Sequence, residues 1–296
     1  DLNPRECVRR AIDFRGPERI PIRYYSDLAR SDIIIAGYTT PDGWVPQQPG
    51  MDEWGCHWTT LDITMGQVKG HPLARSEHDA SYRFPDPWAP GRLVEVQKAQ
   101  QSYPDRYIAG SLGISGFNRM TFLTGFTELL AALILEPARL QWLAEGVFGF
   151  EAEIIKQFGQ MGHDAVWFWD DWGTERGLMI SPELWRRVFK PLYRRQFDLA
   201  HAAGMHAVFH SCGHVYEILT DLVDIGVDML HLNQPNLLGI DRLAAELGGK
   251  VCLHCPVDTQ STLIQGSAED IRRQARALID QLGCYNGGFV ACGDEG

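Results

Sequence analysis

The run Ala165-Val-Trp-Phe-Trp169, closed by Asp170, narrows the fold more than any other stretch. A strand with no polar side chain along its length must be covered on both faces, as the strands of parallel sheets are. Parallel neighbours need long crossovers, usually helices. The chain supplies both kinds of segment. Apolar runs at 19–25, 32–37, 107–112, 165–170, 206–210, 227–232, 250–254 and 288–292 read as eight strands. Helical patterns open at Asn3-Pro4, near Thr127, at Pro137, at Ser181-Pro182, at Asp241 and at Ser267, where Asp270 completes a capping arrangement. Mostly alternating order predicts a (β/α)8 TIM barrel. We expect one domain over 1–296, with a long irregular region at 39–105 that is functional or hides short hairpins. The eighth strand has no helix after it, so the native chain is expected to continue or to have lost a tail.

Composition excludes several classes. A formal net charge of −11 argues against nucleic acid and anionic membranes as partners. No apolar run is long enough to span a bilayer. No signal peptide is visible, and an opening Asp in place of Met suggests trimming. Seven cysteines, an odd number without small-scaffold spacing, read as cytoplasmic thiols or metal ligands rather than a disulfide framework.

In a TIM barrel the residues just past the strand C-termini form the site. That rule gathers Asp170, Asp171, His210, Cys212, Gln234, Cys255 and Cys292 around one mouth. His210 and Cys212 are two apart, so they point the same way at a strand end. An imidazole nitrogen and a thiolate on one point suit zinc. Cys292-Gly293 ends the last strand in the same manner, and three protein ligands with one open position describe a catalytic zinc. The plainer alternative is a core histidine and inert buried thiols. Asp170 and Asp171 are a substrate contact or general acid/base, or else a capping or salt-bridging pair. Trp167, Trp169 and Trp172, with Trp54 and Trp58, are core, or supply flat faces for a methoxylated aromatic or a quaternary amine. Gln234 is a substrate contact or a turn residue before Pro235. Cys252 and Cys255 form a Cys-x-x-Cys across a strand end, a poor place for a redox pair. Cys255 is a candidate fourth metal ligand or ordinary packing.

The phrases Asp170-Asp-Trp-Gly173, Ser181-Pro-Glu-Leu-Trp185, Lys190-Pro191, His210-Ser-Cys-Gly213 and Asn233-Gln-Pro235 resemble the uroporphyrinogen decarboxylase superfamily, and within it the corrinoid-dependent methyltransferase branch. The resemblance spans essentially the whole chain. It implies a TIM barrel with its cleft at the C-terminal mouth and zinc held by His210, Cys212 and Cys292. It also implies methyl transfer between a methylcobalamin-carrying corrinoid protein and a small molecule: a methoxylated aromatic, a methylamine or betaine, or a thiol. Zinc serves either direction as a Lewis acid, and a coordinated thiol deprotonates at neutral pH. The decarboxylases carry an Arg-Gln-Ala-Gly-Arg-Tyr type segment where this chain has Arg23-Tyr-Tyr-Ser-Asp27, which disfavours tetrapyrrole decarboxylation. The alternatives are a metal-free decarboxylase and a non-catalytic zinc or corrinoid-partner binding module. The expected setting is the cytoplasm, as a monomer or homodimer.

Overall fold

The computed structural model describes residues 2–60 and 66–293. Eight parallel strands form a nearly closed barrel: β1 (Ile22–Arg23), β2 (Ile33–Gly37), β5 (Tyr107–Ile114), β6 (Ala165–Trp169), β7 (His206–His210), β8 (Met229–His231), β9 (Cys252–Cys255) and β10 (Phe289–Cys292). Their order round the sheet is β1-β10-β9-β8-β7-β6-β5-β2. The expected (β/α)8 architecture is therefore present. The seam between β1 and β2 is stitched by Asp32. Its backbone N–H donates to Ile22 O at 2.9 Å, and its carboxylate accepts from Ile22 N at 2.8 Å and from both Arg19 terminal nitrogens.

Strand alternation divides the core in two. Inside the barrel lie Ile33, Tyr107, Ala109, Ala165, Trp167, Val208, Met229, Cys252 and Val290. The N-terminal helix Pro4–Ile12 adds Val8, Ala11 and Ile12 to this cluster and so closes the floor of the barrel. Asn3 caps that helix through its side chain, with Pro4 in the first turn. Arg5 and Arg9 of the same helix hold the buried Asp164 carboxylate beside β6, which fixes the plug to the barrel. The outer layer, between strands and helices, is larger and strongly aromatic.

Three local differences from the sequence reading have physical causes. The first strand shrinks to Ile22–Arg23: Pro21 has no N–H to donate, although its carbonyl accepts from Ala291 N at 2.9 Å. Residues 39–105 contain the antiparallel hairpin β3 (His57–Thr59) and β4 (Gln67–Gly70), with a helix at Val94–Ser102. Outside that region four helices of the structure are absent from the sequence reading: Gly116–Thr124, which opens on glycine, Tyr216–Asp224, and the single turns Pro235–Leu238 and Thr262–Gln265. Among the described residues no helix is long and apolar enough to cross a membrane.

Gly110, in the middle of β5, faces the outer layer, and a Cβ there would overlap the Phe158 ring. Gly110→Ala is expected to lower the unfolding free energy by about 1–3 kcal/mol, the usual penalty for overpacking. Urea denaturation measures it, and an unchanged midpoint would show that the long helix Pro137–Gln160 yields at no cost.

Candidate metal centre at the barrel mouth

The turns that follow β6 and β7 are zipped together. Gly173 N donates to Cys212 O, Trp172 N to the Ser211 hydroxyl, and Cys212 N to Asp171 Oδ1 at 2.7 Å. Gly173 and Gly213 meet backbone to backbone, so a Cβ on either would overlap the other segment. Gly213 also sits at φ +81°, where side chains are strained. Gln234 adds its Oε1, which accepts from Gly213 N at 2.8 Å. Gln234 is buried and acts as a strut for the turn that carries Cys212.

This zipper brings three donors into one group. Asp171, His210 and Cys212 each present a ligand atom within 4.8 Å of the others. His210 Nε2 lies 3.4 Å from Cys212 Sγ and 3.5 Å from Asp171 Oδ1. Zinc bonds of about 2.0–2.1 Å to nitrogen or oxygen and about 2.3 Å to sulfur, at tetrahedral angles, put such donor pairs about 3.4–3.6 Å apart. The spacing and the donor types fit zinc. Cys292 Sγ stands outside this group, 3.6 Å from Arg23 Nη1. Its strand pairing sets it one inward rung above Val290, which is level with His254.

Below the thiols runs a row of imidazoles. The ladder pairs His210 with His231 and His231 with His254, so all three occupy one rung on β7, β8 and β9. His210 Nδ1 meets His231 Nδ1 at 2.9 Å, and the His231 and His254 rings stack at 4.6 Å. His254 Nδ1 donates to Val290 O, since a carbonyl only accepts, which leaves His254 Nε2 to accept from Arg23 Nη1 at 3.4 Å. Burial, then His210 and Arg23, push the His231 pKa well below the ordinary imidazole value. Trp169 stands over His210 at 4.8 Å and ties its indole N–H to the Ser111 hydroxyl, while Trp167 closes the layer beneath.

The other candidates lie elsewhere. Asp170 is fully buried and caps the helix Gly116–Thr124: its carboxylate accepts from Phe117 N, Asn118 N and the Tyr193 hydroxyl. Burial pushes its pKa well up, against those three hydrogen bonds. Next to it, the Asn118 side-chain amide, oriented with its nitrogen toward Asp171 O at 3.3 Å, accepts from Asp171 N at 2.9 Å. Cys255 points to the outer layer, where burial pushes its thiol up to about 12. Trp54 packs in the outer layer against Phe150 and under the Arg119 guanidinium. Trp172 is enclosed by Phe117, Phe189 and Trp185. Sequence reasoning passed over Arg23, Asn118, His231 and His254. The inward parity of β6 and β7, applied to β8 and β9, would have found both histidines.

The model of the family described as uroporphyrinogen decarboxylase (URO-D) matches residues 72–292. The chain belongs to that family. No curated protein sequence matches it. Among solved structures it is similar to a methyltransferase from Methanosarcina mazei, with TM-score 0.71 and 14% identity over 99% of this chain and 93% of that one. It also matches D-allulose 3-epimerase from Methylomonas sp., with TM-score 0.46 and 15% identity over 70% of each chain. A third match is 3-keto-D-glucoside 4-epimerase from E. coli, with TM-score 0.44 and 17% identity over 68% of this chain and 76% of that one. At 14% identity the likeness to the methyltransferase shows the fold alone.

Glu151 holds the first N–H of the capped helix, at Gly116, and burial pushes its pKa up to about 7. A carboxyl whose folded pKa is raised keeps its proton while the unfolded chain loses its own. Stability therefore falls as pH rises from about 4.5 to about 7, by about 3 kcal/mol from this group. Glu151→Gln is expected to remove that slope from urea unfolding measured across the window. An identical slope in the variant would assign it to other groups.

Proposed function

We propose that this protein is a zinc-dependent methyltransferase that moves a methyl group between a corrinoid protein and a small molecule at the barrel mouth. The observation that carries the reading is the Asp171–His210–Cys212 group, in which the two distances from His210 Nε2 match edges of a zinc tetrahedron and all three donors lie within 4.8 Å of one another. Family membership and a methyltransferase among the similar structures support the same class. Zinc, when bound, supplies Lewis acidity at an open coordination position.

The chain's own residues prepare the site. Asp171 fixes the Cys212 backbone and offers an oxygen donor. Trp169 provides a flat apolar wall against His210, which suits a methoxylated aromatic or a methylated amine. The corrinoid is carried by the partner protein, and an odd count of seven cysteines fits a cytoplasmic setting. A second ligand set replaces Asp171 by Cys292. It is favoured by the position of Cys292 on the inward face at a strand end beside Arg23, and by the greater affinity of zinc for thiolate.

Metal analysis after dialysis is expected to give one zinc per chain. His210→Ala and Cys212→Ser should each weaken zinc binding at least about 100-fold and abolish methylcobalamin turnover with thiols or methoxyarenes. Asp171→Ala should weaken zinc more than Cys292→Ser does, and the reverse order would select the second set. Full turnover without metal would overturn the proposal.

A further inference from the structure

The histidine row has a direction, and its geometry assigns a task to His231. Two imidazoles that meet Nδ1 to Nδ1 at 2.9 Å share one proton between them. His210 turns its other nitrogen, Nε2, toward Cys212 Sγ and Asp171 Oδ1. A neutral imidazole offers a lone pair at Nε2 only when its proton sits on Nδ1. With Nε2 as the zinc-binding atom the shared proton belongs to His210, and the facing Nδ1 of His231 accepts it.

We infer that His231 is a positioning residue for the metal site: its Nδ1 accepts the Nδ1 proton of His210 and holds that ring in the tautomer and orientation whose Nε2 faces Cys212 and Asp171. This rests on the zinc reading above and adds to it a residue that acts through His210.

The surroundings of His231 are built to keep its ring in place. It is fully buried, stacked on His254 at an interplanar angle of 26°, and met edge-on by Trp167 and Trp169 at 80° and 84°. His254 is anchored in turn, because its Nδ1–H is committed to Val290 O and its Nε2 receives Arg23. Two successive side chains with assigned proton positions thus back the one ring that faces the thiol. Partners of this kind, hydrogen-bonded to a metal-binding histidine, are worth about 10–100-fold in metal affinity.

The test compares zinc affinity, by chelator competition, in the parent, His231→Leu and His231→Gln. Leucine fills the space without an acceptor, whereas the glutamine Oε1 can accept the His210 proton. His231→Leu is expected to bind zinc about 10–100-fold more weakly, and His231→Gln to recover most of the loss. Cobalt(II) spectra of the same proteins should show the thiolate charge-transfer band shifted in His231→Leu and restored in His231→Gln. Long-range proton–nitrogen NMR of the metal-free parent, which needs no variant to fold, should place the His210 proton on Nδ1. Equal zinc affinity in parent and His231→Leu, no recovery in His231→Gln, or a His210 proton on Nε2 would overturn the inference while leaving the zinc reading intact. A parent that binds no zinc would instead overturn the zinc reading and this inference with it.

Discussion

The contact between the Gly173 and Gly213 backbones sets the geometry of the mouth. A strand end alone gives Cys212 a direction but no fixed distance. The close approach of two turns, locked by the Asp171 carboxylate on the Cys212 amide, converts that direction into a position 3.4 Å from His210 Nε2. Any side chain on either glycine would force the turns apart, and at Gly213 the left-handed backbone adds about 1–2 kcal/mol of strain. Both costs fall on the turns that carry Asp171 and Cys212 rather than on the strands.

The barrel interior is layered along its axis. The floor is plugged by Val8, Ala11 and Ile12, with His206 bonded to Tyr107 and Asp13 at the same end; the middle is filled by Trp167; the next rung carries His210, His231 and His254; the rim carries Cys212 and Cys292. Neutral histidines are suited to that intermediate rung, because an unpaired charge at such depth costs far more than a hydrogen-bonded dipole. Arg23 is the exception, a buried cation that lies over Trp167 and donates to His254. Outside the strands, Asp170 and Glu151 fix the first turn of the helix Gly116–Thr124, from which Asn118 grips Asp171. The backbone of Asp171 is therefore held from behind by a helix whose own start is set by two buried acids.

Much of this was legible in the sequence. The continuous apolar run at β6 announced a covered parallel strand, and the caps at Asn3, Ser181 and Ser267 marked helix starts that the structure retains. Parity along β7 paired His210 with Cys212 correctly. What the sequence left ambiguous was direction at strand ends. Asp170 and Asp171 are adjacent, and only the tertiary position of the helix Gly116–Thr124 decides that the first caps it while the second faces Cys212. Trp54 sits in a long excursion whose packing depends on Phe150 and Arg119, residues distant in sequence. His231 and His254 escaped notice because a lone histidine in an apolar run looks like core; their meaning comes from the register that aligns them with His210.

The central claim is that the mouth holds one zinc with sulfur in its coordination sphere, and X-ray absorption at the zinc edge of the loaded protein tests it most directly. The account predicts a four-coordinate centre with a sulfur shell at about 2.3 Å and a nitrogen/oxygen shell at about 2.0–2.1 Å. A spectrum explained by nitrogen and oxygen alone would contradict it.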